Sequence, residues 1–246
     1  MPKANRTWTV LPHAPIEELD ENLWRVVGTL DNMPLKRVMT LARRADGTIV
    51  AHNAIPLDGA SMKRVDDWGK VTAVVVPNGY HRLDAPAFAA RYPEARVYCP
   101  PGARKKVEEV VRVDGTYDDF PADDTISFVT LDGTAAREGV MIVNSPGGST
   151  LVFNDVIFNI KDASGFTGFV FKYVTRSTGG PRVSRLVRWF VAKDRRALRA
   201  HLERLAETPD LARVIVSHGA MVTDNAAAMV TDNAAAMIRT AAATLA

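Results

Sequence analysis

The stretch VVVPNGYHRLDAPAF, residues Val74–Phe88, decides the reading of the fold. A run of β-branched residues ends in a polar turn, and the turn passes into the composition of a helix start, with Asp84 ahead of Ala85 and Pro86. With its upstream neighbours the run becomes KVTAVVVPN, continuously apolar in the way a strand is when both of its faces are buried in a parallel sheet. On one side of it GASMKRVDDWG sets Met62, Val65 and Trp68 at helical spacing before a stopping Gly69. On the other, APAFAARYP, ARVYC and PPGARKKVEEVVRV read as helix, strand and helix. Polar residues gathered at the end of a buried parallel strand are where alternating strand–helix folds place their chemistry.

Working outward, ENLWRVVGTL and LKRVMTLARRADGTIVAHNAI read as strands, with ADG as a hairpin turn. The middle of the chain returns to strands in DTISFVTLD and in EGVMIVNSPGGSTLVFNDVIFNI, where SPGGS turns the chain and ND interrupts the last run. A Gly, Ser and Thr-rich connection spans Ser164 to Arg185. Two helical stretches follow, SRLVRWFVA and KDRRALRAHLERLAE, then a strand LARVIVSH and an alanine-rich helix. The octapeptide MVTDNAAA occurs twice without a gap, at Met221–Ala228 and Met229–Ala236. Eight residues advance a helix by about 80° beyond two full turns, so the copies cannot present one face to one core. The pair reads as a slipped duplication in which Thr223 or Thr231, with the following Asp, caps the last helix.

At 246 residues and 47% hydrophobic content the chain is long enough to bury a large core. No apolar run approaches the roughly 20 residues of a membrane span, and the N-terminus lacks an apolar signal core, so a cytoplasmic protein is expected. Cys99, the single cysteine, excludes an internal disulfide and reads as a buried, inert thiol. Ten Lys or Arg against Asp194 and Glu203 give Lys172–Arg204 a local charge of +8 in a chain of net charge +3. Such a lobe attracts nucleic acid, anionic lipid or an anionic substrate, or is simply a solvated helix face. The chain has neither the Lys-Ser/Thr of a P-loop, nor G-x-G-x-x-G after a strand, nor the G-x-S-x-G serine elbow, which argues against nucleotide cofactors and serine hydrolysis.

The order of elements, together with the strand-end motifs, resembles the metallo-β-lactamase superfamily over nearly all of the chain, from about Leu19 to the final helix. That resemblance implies an α+β fold, a four-layer αββα sandwich, as a single domain over 1–246 with two sheet–helix halves at roughly 1–135 and 136–246. It also implies a site along one edge of the two sheets. Where the superfamily has its His-x-His-x-Asp-His turn, the chain has Asn78, Tyr80, Arg82 and Leu83; SPGGS offers Gly148 in place of a histidine; LVFNDVIF supplies Asp155 and VIVSHGA supplies His218. Two of these seven positions keep a metal-ligating residue type.

A catalytic zinc needs three protein ligands and an open position. His81, Asp84, Asp155 and His218 form a rebuilt set for one divalent ion, zinc, iron or manganese, with Asn78 or His52 in the outer shell and Gly148 lining the cleft. Each residue also has a structural reading: Asp84 as a helix N-cap, His81 as a hydrogen-bonded turn residue, Asp155 as a strand cap, and His13 and His201 as surface residues. Three functions follow. The resemblance implies a divergent hydrolase of small esters, thioesters or lactones, with His81 as ligand or proton shuttle and Tyr80 or Arg82 holding a substrate anion. The second is a metal-free, non-catalytic member binding a small molecule or protein partner in the old cleft. The third, ranked last, is a nucleic-acid binder through residues 172–204. A homodimer is expected from the base rate of symmetric oligomers.

Overall fold

The computed structural model describes residues 4–31, 33–160, 178–185, 187–223 and 233–245. Two sheets carry the chain. The first has seven strands in the order β1-β2-β3-β4-β5-β6-β7: β1 Glu17–Asp20, β2 Leu23–Leu30, β3 Met33–Arg43, β4 Thr48–His52, β5 Lys70–Val75, β6 Arg96–Cys99 and β7 Gly115–Thr116. Its opening strands β1 to β4 pair antiparallel, and β4 to β7 pair parallel. The helices α1 Gly59–Trp68 and α2 Ala85–Arg91 are the crossovers that parallel pairing requires. Asp58 caps α1 by accepting the Ser61 N–H at 2.8 Å, and Gly69 ends it.

The second sheet runs β12-β11-β10-β9-β8, from β8 Ile126–Thr130, β9 Gly139–Ser145, β10 Gly148–Phe153, β11 Leu211–Val216 and β12 Val222–Thr223. Only β10 and β11 pair parallel. The crossover between them contains α4 Arg195–Leu205, and α5 Ala234–Ala243 follows β12.

Strand periodicity sorts the core into three slabs. Val74 faces out from the first sheet into a cluster with Met62 and Val65 of α1 and Phe88 of α2. The next residue, Val75, points the other way and meets Tyr98, Met141, Val152 and Ile215 between the sheets. On the far side, Leu151 and Val214 pack under Leu198 and Leu202 of α4 and Met237 and Ile238 of α5. Helices, sheet, sheet, helices is therefore the layer order, the four-layer αββα sandwich expected from the sequence. Among the described residues no helix is long and apolar enough to cross a membrane.

Several local expectations need correction. PPGARKKVEEVVRV forms only a 3₁₀ turn, Pro101–Ala103, and one helical turn, α3 Arg104–Val107, because its valines disfavour helix and Val107 and Val113 are claimed by the core. SRLVRWFVA gives a π-turn over Val187–Val191. The last helix is capped by Asn233, whose side chain accepts the Ala236 N–H at 2.6 Å, not by a threonine; the first part of the tandem repeat's second copy, like residues 161–177 of the Gly/Ser/Thr connection, lies outside the described residues. His201 is buried, one helical turn from Leu198 and Leu205, with Nδ1 accepting the Asp132 N–H at 3.0 Å; burial holds its pKa down. Cys99 is buried as expected, and burial pushes its thiol up to about 12.

Candidate functional site

After Val75 the chain leaves the first sheet through Val76 and Pro77, and the turn is built by one buried side chain. Asn78 Oδ1 accepts the backbone N–H of Tyr80 (2.8 Å) and of His81 (2.9 Å), an Asx turn that throws the His81 ring inward. The Asn78 amide nitrogen donates to Asp155 Oδ2 at 2.8 Å and to Glu138 Oε1 at 2.6 Å. Asp155 follows β10 and His218 follows β11, so three strand ends from two sheets deliver their residues to one point.

There His81 Nε2 lies 2.9 Å from Asp155 Oδ1, His218 Nε2 lies 3.3 Å from the same oxygen, and the two Nε2 atoms are 3.2 Å apart. The outer nitrogens fix the tautomers. His218 Nδ1 is 2.7 Å from the Lys36 carbonyl oxygen, which can only accept, so Nδ1 carries the proton. His81 Nδ1 is 3.1 Å from Asn53 Oδ1, and Asn53 is oriented by its own amide, which donates to the Val38 carbonyl at 2.8 Å. When the rings are neutral, both inner nitrogens thus bring lone pairs to the same spot as a carboxylate oxygen; when protonated, they donate to that oxygen. Gly219 makes the last approach: its φ is +121°, and a Cβ there would stand 2.1 Å from the Asn159 carbonyl oxygen.

Burial works to raise the Asp155 carboxyl, but the His81 charge and the bonds from His218 and His81 outweigh it and hold it well below the usual carboxylate range. Burial works to lower His218, and Asp155 with the Lys36 carbonyl lifts it above its ordinary value. Glu138 is pushed the other way, well above the usual range, by burial and by the Asp155 charge.

Of the expected residues, His81, Asp155 and His218 come together; among the described residues they are the one group of this kind placed to hold a metal ion. Asp84 does not join them. Its carboxylate is buried against the Arg37 guanidinium and takes the Asn5 amide at 2.7 Å; it sits at the N-cap position of α2 without making a side-chain cap bond. Gly148 also leaves the cleft, because it starts β10 whereas Asp155 follows that strand's other end. Arg82 turns toward α3, bonding Glu109 at 2.8 Å and the Lys106 carbonyl. Tyr80 is 59% exposed. His52 ends β4, fully buried, with neither ring nitrogen bonded within the protein; burial and then the His81 charge hold its pKa down to about 3. Glu138 was missed by the sequence reading, and the one available signal was an acid directly before the apolar strand GVMIV.

Three solved structures align with the whole architecture. A DIM-1 metallo-β-lactamase, from a crystal exposed to ceftazidime, matches with a TM-score of 0.62 at 13% identity over 97% of this chain and 100% of that one. The chain has the metallo-β-lactamase fold. Metallo-β-lactamases from Erythrobacter litoralis, with β-mercaptoethanol in the active site, and from Hirschia baltica give TM-scores of 0.57 and 0.56 at 13% and 12% identity; they cover 92% and 94% of this chain and 93% and 98% of their own. No protein-family model and no curated protein sequence matches. Within this metallo-β-lactamase fold, His81, Asp155 and His218 stand at strand ends along one edge of the two sheets.

Proposed function

We propose that the chain is a metal-dependent hydrolase of small esters, thioesters or lactones, working through a reduced site of one divalent ion held by His81, Asp155 and His218. The observation that carries this reading is the spacing of the three donor atoms, 2.9, 3.2 and 3.3 Å. Ligands placed about 2.0–2.1 Å from a common zinc at tetrahedral angles stand about 3.4 Å from one another. The donor set, two imidazole nitrogens and one carboxylate oxygen, suits zinc, iron or manganese. When bound, such an ion supplies a Lewis acid for the substrate carbonyl and a nucleophilic hydroxide.

The protein's own part is orientation. Asn53 and the Lys36 carbonyl orient both imidazoles so that their inner nitrogens would face the ion, and Asn78 turns Asp155 so that Oδ1 faces them. Phe158 stacks on the His218 ring, with centroids 5.4 Å apart.

A second reading, a metal-free member that uses the cleft for binding alone, is favoured by Asn78, whose amide joins Asp155 to Glu138 with no cation required. Metal analysis by mass spectrometry, after incubation with zinc, iron or manganese, separates the two. About one ion per chain, lost in His218→Ala together with esterase or thioesterase turnover, supports the hydrolase; no retained metal overturns it.

A further inference from the structure

A cavity of about 380 Å³ opens beside the His81–Asp155–His218 group, on the far side of Asn78. Its floor is Asn78 and Glu138, its walls include Tyr80 and Phe190, and Lys105, Lys106 and Arg137 stand at its rim. Glu138 Oε1 is taken by Asn78 and the Asp155 main-chain N–H faces the carboxyl, but Oε2 is buried with no hydrogen bond of its own within the protein. A buried, unpartnered carboxyl oxygen on the floor of a cavity of ligand size is a group waiting for a partner.

The rim carries an excess of positive charge. Glu109 is already engaged by Lys106 at 2.9 Å and by Arg82 at 2.8 Å. Among the described residues neither Lys105 nor Arg137 has an ion-pair partner. The two segments that carry these cations to one cavity are joined by main chain: the Gly102 N–H donates to the Ala136 carbonyl at 2.8 Å, and a Cβ on Gly102 would stand 2.3 Å from the Ala135 carbonyl oxygen. Ala135 and Ala136, just before Arg137 and Glu138, both lie in the left-handed region, with φ of 53° and 57°. Two consecutive non-glycine residues there are strained, and such strain collects where a loop must present specific side chains. Tyr80 and Phe190 leave 59% and 60% of their surface open at this mouth, suiting an apolar ligand body.

We infer that this cavity is the specificity pocket for a small anion with an apolar body, its carboxylate or phosphate held by Lys105 and Arg137 and a hydrogen-bonding group held by Glu138 Oε2. The inference rests on the hydrolase reading only for what happens to the ligand next.

The test is calorimetric titration of the full chain with three probes: hippurate, its uncharged isostere hippuramide, and phenyl phosphate. Hippurate or phenyl phosphate should bind at least about tenfold tighter than hippuramide. Added salt should weaken the anions and leave the amide unchanged. The double variant Lys105→Gln, Arg137→Gln, with both substitutions on the surface, should erase the preference while keeping the protein folded and its metal content intact. Binding of both anions no tighter than that of hippuramide, no binding of any probe, or a preference that survives the double variant would overturn the inference. Metal analysis of the same samples keeps the readings apart: absence of metal with the anion preference intact sinks the hydrolase alone.

Discussion

The Nε2 atoms of His81 and His218 lie 3.2 Å apart although 137 residues separate the two in sequence. Two imidazole lone pairs face each other across that gap because the outer nitrogens of both rings are committed elsewhere. A proton or a metal ion at that point relieves the repulsion between the lone pairs, and the partners that hold the rings become as important as the rings themselves.

Asn53 gives the sharpest test of this. Its φ of 55° is in the left-handed region, so Asn53→Gly keeps the backbone and removes only the side chain. With the His81 tautomer no longer imposed, metal affinity should fall about 10–100-fold. Competition with a chromophoric chelator measures it; unchanged affinity would show that Asn53 does not orient the ring.

Asp84 should behave in the opposite way. Breaking a buried ion pair leaves one charge uncompensated, so Asp84→Ala should cost about 3–5 kcal/mol through Arg37. The fraction that still folds should hold as much metal as the parent. Urea denaturation and metal analysis on one preparation give both numbers, and loss of metal without loss of stability would restore Asp84 as a ligand.

His52 predicts an acid-sensitive fold. Its folded pKa is about 3 against 6.5 unfolded, so as pH falls the unfolded chain takes up the proton first. Stability contributed by the neutral ring is complete above pH 6.5 and is lost as pH falls from there toward 3. His52→Phe removes two unpartnered nitrogens and the titration with them. The variant should match the parent at pH 8 and exceed it by about 2 kcal/mol at pH 5. Parallel denaturation curves at both pH values that show no such gap refute the assignment.

Gly219→Ala should disrupt the site from outside the cluster, since the added methyl would collide with the Asn159 carbonyl. His218 must shift, and both metal retention and thermal stability should drop. A crystal structure of the variant with His218 unmoved would contradict this.

Much of the architecture was legible because the chain writes it in periodicity. KVTAVVVPN declares a strand buried on both faces, and Leu198, Leu202 and Leu205 declare the inner face of α4. His201 lies on the same face and is buried with them. Asp155 and His218 were visible because each breaks a buried strand with a polar residue. What was not legible is long-range: Asp84 looked like a ligand because its partner Arg37 is 47 residues away on β3, and Glu138 carried no motif. Strands as short as β7 and β12 have too few residues to show an alternation at all.

The bond from His218 to residue 36 is made to a carbonyl, an atom every amino acid possesses. Replacement of Lys36 by any side chain would leave it in place, so alanine scanning would score the position as silent. A single-residue insertion in the hairpin joining β2 and β3 is a different matter: by sliding that carbonyl along the strand it would disarm the histidine without touching one functional side chain.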